Sequence, residues 1–65
     1  MKNNKRLCVY PKDVQLITGR SYKQSCRYLM KIRKHYQKEP QQFVTVTEFC
    51  LYTGIPPEEV GELLH

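Results

Sequence analysis

The chain has 65 residues, 40% of them hydrophobic and 26% charged, with a formal net charge of +5. That length holds one domain at most and buries only ~60% of the surface its unfolded chain exposes, which excludes a large enclosed active site. Three cysteines, Cys8, Cys26 and Cys50, form an odd set without C-x-x-C spacing, so reduced thiols in a cytoplasmic protein are expected rather than a disulfide framework. No apolar run approaches the ~18 residues of a membrane span, and MKNNKR lacks the following apolar stretch of a secretory signal.

The net charge hides a division. Residues 1–38 hold all eleven Lys and Arg and one acid, Asp13, a net +10; residues 39–65 hold five Glu and no Lys or Arg, a net −5. Clustered positive charge in one half points to a polyanion partner for that half alone.

In chain order, residues 1–6 read as a flexible basic arm, with Lys2, Lys5 and Arg6 placed to follow a phosphate backbone or enter a minor groove. Leu7-Cys8-Val9 is a short extended lead-in or β-bridge. Residues 11–18 read as a short helix: Pro11 suits its first position, Asp13 its first turn, Val14, Leu16 and Ile17 its apolar face, and Gly19 its stop. Ser21 and Gln24 form a capping-box pair that opens a long second helix. With no Gly or Pro before Pro40, this helix is expected to run to Lys38. On a helical wheel Lys23, Lys34, Arg27, Lys38 and Lys31 share ~80° of arc, while Ile32, Ser25, Tyr36, Leu29 and Tyr22 lie opposite, with Cys26 at the edge. One stripe is cationic; the other is built for burial.

Residues 39–42 break the helix, and 43–45 are extended again. Thr45 and Glu48 repeat the capping-box pattern before a short helix over 46–53, stopped by Gly54. Pro57, Glu58 and Glu59 then start a last helix whose apolar side is Val60, Leu63 and Leu64. Shifted by 35 residues, the chain overlays on itself: Leu16 meets Leu51, Thr18 meets Thr53, Gly19 meets Gly54, Leu29 meets Leu64, and Asp13 meets Glu48. The expected fold is all-α, a compact four-helix domain over 1–65 made of two helix-turn-helix-like pairs, a basic one at 11–38 and an acidic one at 46–64, with at most a very short two-stranded β-bridge.

The segment Pro11–Met30, PKDVQLITGRSYKQSCRYLM, resembles the opening of small bacterial helix-turn-helix DNA-binding proteins of the excisionase-like and MerR-like kinds. The matching positions are Pro11, Asp13, Val14, Ile17, Gly19, Ser21, Lys23, Arg27 and Leu29, under a third of the chain. The resemblance implies sequence-specific binding of double-stranded DNA by a transcriptional regulator or excisionase-like factor. Those families continue into a β-hairpin wing carrying Arg or Lys. Here the region reads Gln-Gln-Phe-Val-Thr and then an acidic helix pair, so no wing contacts carry over.

Placed on that scheme, Arg20, Tyr22, Lys23 and Arg27 are the first candidates for base edges and nearby phosphates, with Ser21 and Gln24 at the helix start and Lys31 and Lys34 further along on phosphates. Gln24 has two readings, an adenine reader or a cap. Tyr22, Tyr28, Tyr36 and His35 leave RNA or single strands open through stacking, although Tyr22 and Tyr36 also fit a core. Cys8, Cys26, Cys50, His35 and His65 lack metal-ligand spacing, and Cys26 and Cys50 fit buried positions. No phosphate loop, nucleophile motif or carboxylate pair marks an enzyme or a cofactor site. The alternatives to DNA are an RNA-binding module and an adaptor whose basic helix docks an acidic partner, including the acidic half of a second copy in a homodimer.

Overall fold

A computed structural model describes residues 7–64; the basic arm with Lys2, Lys5 and Arg6, and His65, lie outside the described residues. Strand β1 (Cys8–Val9) leads into α1 (Pro11–Thr18) and α2 (Tyr22–His35); β2 (Val44–Thr45) leads into α3 (Val46–Thr53) and α4 (Pro57–Leu63). The described residues are thus mainly helical, with four helices and one two-stranded sheet. The strands pair antiparallel, Cys8 opposite Thr45 and Val9 opposite Val44. Two residues per strand could not hold a ladder alone. Val9 and Val44 are both buried, and the Val46 N–H donates to the Leu7 carbonyl at 2.9 Å, so packing and one extra bond hold it.

The 35-residue repeat is written into the hydrogen bonds. The Tyr10 N–H donates to Asp13 Oδ2 at 2.8 Å, and the Thr45 N–H to Glu48 Oε1 at 3.0 Å. Thr18 Oγ1 donates to the Val14 carbonyl at 2.7 Å and Thr53 Oγ1 to the Phe49 carbonyl at 2.8 Å. Each hydroxyl then accepts the N–H two residues on, from Arg20 at 3.3 Å and Ile55 at 3.2 Å. Gly19 and Gly54 end their helices in the left-handed region, φ 77° and 81°, where a side chain would be strained.

The two units meet about a local two-fold. In the ladder Val9 faces Val44, its own counterpart 35 residues on. Helix α1 packs on α2 and α4, and α3 packs on α4 and α2, the pattern such an axis requires. One departure has a covalent cause. The counterpart of the Val46 donor is Pro11, which has no N–H. Its would-be acceptor, the Gln42 carbonyl, is instead taken by Arg33 Nε at 2.8 Å. Matched positions supply the core: Val14 with Phe49, Leu29 with Leu64, Ser25 with Val60, all buried. Burial is thus shared by two units, each too small to enclose a core by itself.

Three expectations change. Helix α2 stops at His35, three residues short of Lys38. Gln37 takes φ 58°, its N–H donates to the Lys34 carbonyl at 3.1 Å, and the Lys38 N–H donates to the Arg33 carbonyl at 2.8 Å. This is a Schellman close built on Gln rather than Gly, which no sequence signal announced. Tyr22, placed on the apolar arc, is 54% exposed, because the first residue of α2 projects beyond the core. Leu16 and Leu63, assigned to apolar faces, are 60% and 46% exposed; Val14 and Val60 carry the burial on those helices. Asp13 stands in the first turn of α1 as expected, and is buried there.

Candidate nucleic-acid interface

The basic surface is built from the turn upward. Ser21 accepts the Gln24 N–H at 3.1 Å, and Gln24 Oε1 accepts the Ser21 N–H at 3.2 Å. This reciprocal cap fixes where α2 begins and how it leaves the turn. Ser25, Leu29 and Ile32 are buried and fix the helix's rotation. The remaining face therefore points outward by necessity, since a single stripe decides both.

On that face Lys23, Arg27, Lys31 and Lys34 are exposed. Among the described residues none of the four is in an ion pair. Two other cations are already engaged. Arg33 is half-buried and holds the Gln42 carbonyl. Lys38, expected on the stripe, has left the helix; its Nζ lies 3.1 Å from Glu48 Oε2. Burial pushes the Glu48 carboxyl up, but hydrogen bonds from Thr45 and the bond and charge of Lys38 outweigh it and hold it below its ordinary value.

Beside the stripe lies a shallow open cleft of about 150 Å³ lined by Arg20, Gln24, Arg27, Tyr28 and Lys31. The Arg20 guanidinium sits 4.8 Å from the centre of the Tyr28 ring, a cation–π contact that positions the charge at the mouth. Tyr28 in turn meets Phe49 and Tyr52 edge to face, at 6.4 and 5.7 Å between ring centres. Burial raises the Tyr28 phenol, and Tyr52 raises it further against the pull of Arg20. It stays neutral at neutral pH, so the cleft keeps its positive sign.

The structure separates the aromatic candidates. The Tyr28 ring is covered by Arg20 and by the core. His35 meets Tyr36 at 4.8 Å and Tyr52 at 5.2 Å, both edge to face. Tyr36 is half-buried, with its hydroxyl 3.5 Å from the Glu48 carbonyl as donor. Of the four, Tyr22 and His35 are exposed on the basic helix, Tyr22 at its start and His35 at its end, where it is held edge to face by Tyr36 and Tyr52. Gln24 is tied by its oxygen to the Ser21 N–H, the capping one of its two readings, which engages one of the two lone pairs of that acceptor. Ser21 and Gln24 therefore position the surface, which Gln24 shares at the cleft with Arg20, Arg27 and Lys31 and which Tyr22, Lys23 and Lys34 extend.

The part of Tyr28 that sequence reading left out is structural. Its signal was present, an aromatic on the border between the two stripes, but only the placement of Arg20 and Tyr52 shows the border to be a cleft wall. Among the described residues there is no group of His, Cys, Asp and Glu able to hold a metal ion. Burial and the charge of Glu58 raise the Cys50 thiol, which makes it a poor nucleophile or ligand at neutral pH. No described helix is long and apolar enough to cross a membrane. No protein-family model matches the chain, and no curated protein and no solved structure matches it either.

Proposed function

We propose that this chain binds double-stranded DNA through α2, used as the second helix of a helix-turn-helix, and acts in transcription regulation or as an excisionase-like factor. The observation that carries the reading is the set of free cations, Lys23, Arg27, Lys31 and Lys34, on the outward face of a helix whose opposite face is locked into the core. A helix so held can enter a major groove with its start toward the base edges. Lys23, Tyr22 and Arg27 are the base-edge candidates. Arg20, Lys31 and Lys34, at the cleft and along the helix, are assigned to phosphates.

Duplex DNA is favoured over single strands or RNA because the aromatic rings near the stripe are occupied by one another and by Arg20. Stacking on successive bases needs open ring faces, and only Tyr22 and His35 are exposed, at opposite ends of α2 rather than in succession. The acidic second pair has the same scaffold without the charge to meet phosphates. In this reading it completes the core.

Fluorescence anisotropy with mixed-sequence and selected duplexes at several salt concentrations tests the proposal. Three phosphate contacts, from Arg20, Lys31 and Lys34, give a log–log salt slope on the order of −3. Lys34→Ala should shallow that slope by about one unit at every sequence, whereas Arg27→Ala should cost ~1–3 kcal/mol concentrated at one base position. Absence of binding to any duplex at ~50 mM salt, where phosphate contacts are strong, overturns it.

A further inference from the structure

The two-fold between the units places their second helices in equivalent surroundings, and there the charges invert residue for residue. Lys23 and Arg27 of α2 correspond to Glu58 and Glu62 of α4, each pair four residues apart on one helix face; Gln24 corresponds to Glu59. All six are exposed, and none of the four paired charges is in an ion pair among the described residues. Residues four apart on a helix stand one above the other. The chain therefore carries the same pair of charged positions twice, once positive and once negative, at the same spacing. Leu63, half-exposed beside Glu59 and Glu62, gives the negative copy an apolar margin.

We propose that the acidic face of α4 docks on the basic face of α2 of a second copy of this chain, so that the protein associates head to tail and masks its own cationic stripe. The occupant follows from the pairing. Two faces with matched spacing and opposite sign are complementary in charge. Because the two faces differ, the contact is heterologous and leaves a free face at each end, so growth continues unless the chain of copies closes into a ring. Helix α4 is seven residues long, or ~10 Å, so the contact is small and belongs to the transient class, with a Kd on the order of 0.1 mM. Masking of Lys23 and Arg27 rests on the DNA-binding reading; the association itself does not.

The test is a charge swap read by sedimentation velocity of the whole chain without DNA, from ~10 µM to ~1 mM at low and high salt. The wild type should show a rise in mean mass with concentration that is lost at ~0.5 M salt, where charges are screened beyond a few ångströms. The double variant K23E/R27E and the double variant E58K/E62K should each stay monomeric, and an equimolar mixture of the two should associate. All four positions are exposed, and circular dichroism melts verify that the variants remain folded. A wild type that stays monomeric throughout, or a mixture that stays monomeric, overturns the proposal. DNA titration at dilute protein separates the two readings. Binding that is lost in K23E/R27E and kept in E58K/E62K supports the DNA reading whatever the sedimentation result; no DNA binding with salt-sensitive association leaves docking standing and removes the masking.

Discussion

The first helix pair and the second share a scaffold and differ in nearly every exposed charge. Thr18 and Thr53 bond the same backbone atoms, Gly19 and Gly54 turn the chain at nearly the same φ, and Val9 faces its own counterpart Val44. Over that frame Lys23 and Arg27 stand where Glu58 and Glu62 stand. The lesson is that fold and surface are specified by separate residues. Buried apolar positions and turn chemistry set the frame, and outward positions are free to take either sign because solvent accepts both.

The largest effect that would break the equivalence is in the core. Phe49 is fully buried at the position Val14 occupies in the first unit. Phe49→Ala should cost ~3–5 kcal/mol, enough to unfold much of so small a chain; thermal or urea melts measure it. A loss below ~1 kcal/mol would show that the second unit does not share the common core.

The turns sharpen the comparison. Nothing lies within 4 Å of a Cβ added at Gly19 or Gly54, so Gly19→Ala and Gly54→Ala each cost only the left-handed backbone, ~1–2 kcal/mol. Matched losses in Tm support equivalent turns; a clear inequality would mean that one turn carries strain the other lacks.

Acid probes the second unit through Glu48, which has gained Lys38. The Glu48 carboxyl is held below its ordinary value near 4.5. A lowered folded-state value contributes stability that is present above the unfolded value and lost as pH falls through the folded one. Glu48→Gln keeps an acceptor for the Thr45 N–H but does not titrate. Its Tm should therefore fall less than the wild type's between about pH 6 and about pH 3, as scanning calorimetry can read.

The smallest effect concerns Ser25, matched with Val60. Its hydroxyl is fully buried and has no hydrogen-bond partner among the described residues, a cost the second unit avoids. Ser25→Ala should be neutral or stabilising by up to ~1 kcal/mol. A loss of more than ~1 kcal/mol would mean that the hydroxyl is bonded in solution.

Much of the frame is legible in the chain. Pro11, Gly19, the Ser21–Gln24 and Thr45–Glu48 boxes, Gly54 and Pro57 mark starts and stops through local backbone chemistry, and the helices begin where those marks stand. The basic stripe is legible too, because Ser25, Leu29 and Ile32 recur at helical spacing and leave Lys23, Arg27, Lys31 and Lys34 on the other side. Tyr22 misled because a wheel treats every turn alike, whereas the first turn of α2 overhangs the core. Leu16 misled because apolar character alone does not say which of three neighbours faces inward. The end of α2 misled because Gln37 adopts a conformation usually given to Gly.

By itself the sequence determined the elements, the division of charge and the repeat, since caps, turns and periodicity act over a few residues. Tertiary structure alone decided which cations remain available. Arg33 and Lys38 carry the same charge as their neighbours, yet the Gln42 carbonyl left over by Pro11 and the Glu48 carboxylate of a distant helix claim them. It also decided that Tyr28 and Arg20 form a cleft wall, because α3 brings Phe49 and Tyr52 against that ring. Such assignments depend on residues brought together across the fold, and no local pattern encodes that meeting.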